Sequence, residues 1–315
     1  MKKTIGGYFE LELNIGKEYH FNAIKLNSGR SCLGYVLNAT KCSKIYIPHF
    51  TCDAVINCVK KTKINFDFYH IDENLEPIFD IHKVKNSELF LYTNYFGIKD
   101  NYIKKLIKIS KNIIIDNSQS FFSAPEKGIY SFYSPRKFLG VPDGGYLYTD
   151  NISDYNYNKD ISYLKFNHLI KRIDIGAEIA YSEFLKNEKK IDKSPILKMS
   201  NLTHILLKSI NYENIKETRK NNFNYLQKHL TNQNQFIIDK NSSQIPLNYP
   251  FLSKKMGIKE KLLASKIYTP TYWPNILKPK FSKTIEYDYA KNMIFLPIDQ
   301  RLEIKDLNLI LNIIN

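Results

Sequence analysis

The sequence predicts an α/β protein with a mostly parallel central sheet, helices on both faces and a smaller C-terminal α+β domain. Three observations lead there. Between residues 23 and 150, short apolar runs alternate with amphipathic stretches, the rhythm of strand–helix–strand units with crossovers. Near residue 206 that rhythm changes to short strands set among helices. The 315 residues and 43% hydrophobic content supply a core for one large domain and one smaller one. We expect an N-terminal arm over 1–25, a large domain over 26–205 and a small domain over 206–315.

The elements follow in order. "AIKLN" (23–27) is a strand and "SCLGYVLNA" (31–39) a helix; "KIYIPHF" (44–50) is a strand ended by Pro48 and "CDAVINCVKK" (52–61) a helix. "INFDFYHID" (64–72) alternates like a strand, and "LFLYTNYFG" (89–97) and "NIIIDNSQ" (112–119) read as buried strands. A helix over 100–110 between them places Ile103, Leu106, Ile107 and Ser110 on one face. "GIYSFYS" and "GGYLYTD" close the series. The segment 151–205 is polar and partly helical. "NIKETRKNNFNYLQKHL" (214–230) is a helix with Ile215, Phe223, Leu226 and Leu230 available for packing. Next come "QIPLNYPFL" as strand, "GIKEKLLASK" as helix, "IYTPTYW" and "MIFLPID" as strands, and a final helix in "EIKDLNLILNII".

Composition removes several classes of function. The cysteines, Cys32, Cys42, Cys52 and Cys58, form no C-x-x-C pair, and the seven histidines offer no matching metal spacing. They read as small buried residues in a reducing compartment. "MKKTIGGYFELELN" lacks the apolar stretch of a signal peptide, and no run approaches the roughly 18 apolar residues of a membrane span. A soluble cytoplasmic protein is expected. The net charge is +15, yet only five arginines occur and the lysines are scattered among Asn and Ile. A diffuse excess of this kind is a solvated surface with a mild attraction for anions, not a nucleic-acid patch.

Three stretches stand out. In "LNSGRSCLGYVL" a strand runs through Ser28-Gly29-Arg30 into a helix, whose first amides and partial positive charge suit a phosphate; the plainer reading is a helix cap. In "NIIIDNSQSFF" Asp116 ends a buried strand, where an acid is costly unless paired and where open α/β sheets bind ligands; the plainer reading is a turn cap. Gln119 lies three residues on. In "SFYSPRKFLGVPDGG" Lys137 sits between an aromatic run and an Asp-Gly-Gly turn. An amine that attacks an aldehyde must be neutral part of the time, a state that burial and the neighbouring Arg136 would favour; many lysines in such turns only face water. Jointly, a phosphate cradle, an acid for a pyridinium nitrogen, a partner for a ring hydroxyl and a lysine for an aldehyde are the four requirements of pyridoxal 5'-phosphate (PLP).

With these residues the chain resembles the DegT-type (DegT/StrS) aminotransferases, PLP enzymes of fold type I that act on nucleotide-linked keto sugars. Ser28-Gly29-Arg30-Ser31-Cys32-Leu33 looks like the family's S-G-T/S-x-A-L. Pro48-His49-Phe50-Thr51 looks like its P-x-x-T, and Asn94-Tyr95-Phe96-Gly97 its H-x-F-G. Ile115-Asp116-Asn117-Ser118-Gln119 looks like E-D-A-A-Q. Ser131-Phe132 through Lys137, then Asp143-Gly144-Gly145, look like S-F-x-x-x-K and G-E-G-G. The helix near Arg219 and the late "IYTPTYWP" and "LPIDQR" stretches extend the resemblance over most of the chain.

The resemblance implies roles. Lys137 would carry the cofactor and then shuttle a proton, with Asp116 on the pyridine nitrogen and Gln119 at the ring hydroxyl. Ser28, Gly29, Arg30 and Ser131 or Ser134 would hold the phosphate. It implies a homodimer with the site at the interface, an amino donor such as glutamate, and an amino-sugar product for surface polysaccharide or glycoside synthesis. This sequence departs from the pattern in several places. Arg30 replaces a small hydroxyl residue, and Cys52 stands where many members stack an aromatic on the ring, a role left to Phe50 or Tyr95. The serine-to-lysine spacing is one residue longer, Asp143 replaces a glutamate, and the chain is short. The alternative is a member that binds PLP or a sugar nucleotide without turnover. Dehydratase relatives carry His in place of the lysine, and Lys137 argues against that branch.

Overall fold

The computed structural model describes residues 5–150, 156–238 and 244–315. Residues 1–4, with the basic pair, and 151–155, the start of the middle segment, lie outside the described residues, as do 239–243. Eight strands form the main sheet: β1 (Ile24–Leu26), β2 (Lys44–Pro48), β3 (Asn65–Ile71), β4 (Pro77–Ile78), β5 (Glu88–Thr93), β6 (Ile113–Asp116), β7 (Tyr130–Tyr133) and β8 (Gly145–Tyr148). Their order is β1-β8-β7-β6-β5-β2-β3-β4. Parallel ladders join β3, β2, β5, β6 and β7, while β8 runs antiparallel to both neighbours and β4 antiparallel to β3.

Central strands feed two cores at once, which is why they read as unbroken apolar runs. In β5, Leu89 and Leu91 join one cluster and Phe90 and Tyr92 another; in β6, Ile114 faces the first and Ile113 and Ile115 the second. Successive side chains of a strand point to opposite faces, so both faces need helices. Helices α1 (Gly29–Thr40) and α2 (Asp53–Thr62) cover the first face. On the second, α3 (Asp100–Ile109) packs Ile103, Leu106 and Ile107, the predicted face except Ser110, which ends the helix as its C-cap.

The middle segment is more helical than the sequence suggested. It holds α4 (Asn167–Ile175), α5 (Ala177–Lys193) and α6 (Asn201–Lys208). The C-terminal part contains α7 (Tyr212–Leu230), the strand β9 (Tyr249–Phe251), α8 (Ile258–Ala264), α9 (Ile285–Asn292), the strand β10 (Ile294–Leu296) and α10 (Ile304–Ile314). β9 and β10 pair antiparallel. One continuous core joins this part to the second face of the sheet, with Phe50, Phe90 and Tyr95 in the same cluster as Leu226, Phe295 and Leu311.

One expectation fails here, and one helix is additional to those expected. "IYTPTYW" is not a strand: Pro270 has no N–H to donate, and Trp273 adopts the left-handed region with φ 56. Instead Tyr272 and Trp273 lay their rings against Phe96 at 6.0 and 6.3 Å. Helix α9 was missed because its apolar residues are interrupted by Glu286, Asp288 and Lys291; its signal is the N-cap Thr284, whose side chain accepts from the Tyr287 amide.

Candidate active site

All parallel strands end at one edge, and the candidate residues follow those ends. Phe50 and Cys52 follow β2, Tyr95 follows β5, Asp116 closes β6 and Lys137 follows β7. β1 runs in the same direction, because β8 reverses between β7 and β1, so Ser28 and Gly29 reach the same edge. Ligands bind at this edge of open α/β sheets.

Asp116 is 4% exposed. Its Oδ1 accepts the Ser118 backbone N–H at 2.8 Å and the Ser118 hydroxyl at 2.5 Å, which leaves Oδ2 for a cationic donor. Burial pushes the Asp116 carboxyl above its ordinary range; the Lys137 charge and the two Ser118 bonds pull the other way. The Lys137 ammonium donates to Ser118 Oγ at 3.3 Å. Ser118 thus joins lysine to acid, a residue the sequence reading passed over. Its signal was the D-x-S spacing, in which an Asp side chain folds back on the amide two residues on.

Lys137 itself is exposed, and Arg136 is engaged by Glu188 of α5. The lysine is thus not buried as expected, and the neighbouring cation is paired with an acid. Gln119 is 1% exposed. Its Oε1 accepts the Phe96 amide at 2.9 Å, while its Nε2 is buried without a partner. An unpaired buried amide donor is costly, and a ring hydroxylate is an acceptor that would satisfy it.

At the start of α1, Ser28 acts as N-cap, accepting from the Ser31 amide at 3.1 Å. The Gly29 and Arg30 amides, also in the first turn, have no acceptor within the helix itself, and Ser28 is bridged to Gly144 across the turn. Ser134 stands beside them: a Cβ on Gly29 would lie 3.9 Å from Ser134 Cβ and 3.6 Å from the Phe132 ring. Ser131 does not share this corner. Strand alternation sends Phe132 toward α1 and Ser131 to the opposite face. The Arg30 guanidinium also turns away, pairing with Asp192 at 2.6 Å and reaching Glu188 at 4.0 Å, so its charge goes to α5 and only its backbone N–H stays in the corner. Phe50 and Tyr95 are both 0% exposed. Their rings stack on each other at 5.7 Å, and Trp273 meets Phe50 edge-on at 4.4 Å, so neither shows a free face for a ligand ring. Cys52, by contrast, is part-exposed and follows the end of β2, at the sheet edge where Asp116 and Lys137 also lie.

The Asp-Gly-Gly turn is structural. Asp143 is fully buried and accepts the Ser200 amide at 3.0 Å, the Ser200 hydroxyl at 2.8 Å and the Thr203 hydroxyl, tying β8 to the start of α6. Gly145 lets β8 pass against Ser28: an added Cβ would lie 2.4 Å from the Ser28 carbonyl carbon and oxygen. Backbone cannot yield as a flexible side chain can, so Gly145→Ala is expected to destabilise the chain by about 3 kcal/mol, read as a lower urea midpoint with an unchanged slope.

The residues present fit PLP: a buried acid, an orphaned amide donor, a helix start beside a serine, and a lysine linked to the acid. Among the described residues no three His, Cys, Asp or Glu side chains converge as a metal site. No family model and no curated protein matches the sequence. Solved structures do match by shape. A DegT DnrJ EryC1 StrS aminotransferase from Brucella abortus is 15% identical, covering 93% of this chain and 84% of that one at a TM-score of 0.62. The sugar aminotransferase CalS13 from Micromonospora echinospora is 13% identical, covering 94% and 87% at 0.65. The E. coli GDP-4-keto-6-deoxy-D-mannose-3-dehydratase, solved with hydrated PLP, is 15% identical, covering 93% and 87% at 0.62. The chain has the fold these DegT/StrS-type sugar aminotransferases share, fold type I of the PLP-dependent transferases.

Proposed function

We propose that the protein is a PLP-dependent aminotransferase that moves an amino group from a donor, glutamate first among those to test, to a keto sugar carried on a nucleotide. The product would be an amino sugar for surface polysaccharide or glycoside synthesis. The carrying observation is the Lys137–Ser118–Asp116 chain beside the orphaned Gln119 amide, set in this fold.

Bound PLP supplies a conjugated electron sink for the carbon that loses a proton. Asp116 holds the ring nitrogen in its protonated state through a charge-assisted bond, which also gives the buried acid the cation it lacks. Gln119 Nε2 donates to the ring hydroxyl. The Gly29 and Arg30 amides and the Ser134 hydroxyl hold the phosphate. Lys137 Nζ would hold the cofactor at its aldehyde carbon and would carry the proton at the substrate carbon. Its exposure lets it meet substrate from the open side. The lysine at this position speaks for amino transfer over the dehydration done by the E. coli neighbour.

A homodimer closing over the site belongs to this reading. The α4–α5 hairpin and the loop before it expose Ile161, Tyr163, Leu164, Ile173, Ile179 and Tyr181, an apolar surface suited to a second subunit. It adjoins the site through Glu188 and Asp192. No helix among the described residues is long and apolar enough to cross a membrane, and we place the reaction in the cytoplasm. The test is incubation of the purified protein with PLP and then glutamate. The absorbance of bound PLP is expected to give way to that of its amine form. A protein that leaves PLP unbound overturns the proposal; tight binding without conversion across a donor panel replaces it with the non-catalytic reading.

A further inference from the structure

Arg219 lies in the middle of α7 and is 2% exposed. A cation so deeply buried is costly unless paired, yet its bonds go to neutral acceptors. Nε donates to Gln300 Oε1 at 3.0 Å, and Nη1 to the carbonyls of Leu247 and Pro246 at 3.2 and 3.4 Å. Asp299, the acid that acts on it, is taken by Arg301 at 2.7 and 2.9 Å.

The same contacts lead to the site. The Arg219 guanidinium sits 4.6 Å over the Phe138 ring. Gln300 accepts from Arg219 with its oxygen and donates with Nε2 to the Phe138 carbonyl at 2.9 Å. Phe138 directly follows Lys137 and closes the single 3₁₀ turn Pro135–Lys137. On its other side that turn is held by the Arg136–Glu188 pair. Lysine has four rotatable bonds and about 2 kcal/mol of rotamer entropy, and Lys137 has one long bond, at 3.3 Å, to fix its amine. Where the amine points therefore depends on how firmly the turn beneath it is held.

We propose that Arg219 and Gln300 are positioning residues that clamp Phe138 and so aim Lys137 at Ser118 and Asp116. This rests on Lys137 being the cofactor lysine. The C-terminal segment would then build the site from behind, through a ring face and one carbonyl, without touching cofactor or substrate.

Gln300 is only part-buried, so its variants should fold even where Arg219→Met does not. The readouts are borohydride-trapped PLP on Lys137 by peptide mass spectrometry, the pH midpoint of the bound-cofactor absorbance, and the thermal midpoint. Gln300→Ala is expected to weaken trapping at Lys137 about fivefold, the factor matching one lost hydrogen bond, and to shift the pH midpoint. Gln300→Glu keeps the acceptor for Arg219 and loses the donor to Phe138. It should match Gln300→Ala in trapping while keeping its thermal midpoint, a split that a merely structural role does not produce. Wild-type trapping in both variants overturns the clamp. Normal trapping in Gln300→Glu alone overturns its Phe138 link. No adduct on Lys137 in the wild type overturns the reading of Lys137 on which the clamp rests.

Discussion

Lys137→Ala is expected to remove covalent PLP and lower turnover at least about 10³-fold, within the range for losing a positioned acid–base group, while leaving the fold unharmed. The two halves follow from different facts. The side chain is exposed and its one hydrogen bond among the described residues runs to Ser118, so truncation should cost no more than about 0.5 kcal/mol. Chemistry loses far more, because the nucleophile and the proton carrier are one amine. Lys137→Arg is the informative control. It restores a cation near Asp116, but a guanidinium stays protonated and does not attack an aldehyde, so it should be as inactive as the alanine variant. A further consequence tests the coupling. Lys137 partly offsets the burial that raises the Asp116 carboxyl, so Asp116 should titrate higher in apo Lys137→Ala and near its wild-type position in Lys137→Arg, followed by the carboxyl resonance in NMR. Retained covalent PLP in the alanine variant would place the reactive amine elsewhere.

How much of this was legible in the sequence depends on the kind of signal. Strands such as β5 and β6 were legible because burial on both faces forces a continuous apolar run. Asp116 and Gln119 were legible because polar groups at the end of such a run need a reason to be there. The partner elements were not. Nothing local in Arg30 says that Asp192, far along the chain, will take its charge, and nothing in Phe50 or Tyr95 says that Trp273 will help seal both rings in. Ser131 and Ser134 looked equivalent until strand alternation and the approach to Gly29 separated them. Ser118 was local and readable, but a serine two residues after an aspartate has so ordinary a role in turns that its second bond, to Lys137, becomes meaningful only in three dimensions.

Asp116→Asn separates the functional reading from the structural one, since the two predict opposite outcomes. As a turn cap, Asp116 would stabilise the chain through its bonds to Ser118, and the amide would lower apo stability. As a cofactor acid awaiting its cation, it is a destabilising buried charge. The sign follows from titration. Burial raises its native carboxyl above the unfolded value near 3.9, so the folded chain takes up the proton more readily than the unfolded one. The cost is full above the native value and vanishes as pH falls toward about 3.9. Apo Asp116→Asn should therefore melt at or above the wild-type temperature at pH 7, and that gain should shrink as the pH is lowered. Turnover should move the other way, falling roughly 10- to 100-fold for the loss of a charge-assisted bond of about 1.5–3 kcal/mol, because a neutral amide does not hold a ring nitrogen protonated. A lower melting point with unchanged turnover would make Asp116 a turn cap and leave the site without its electronic anchor.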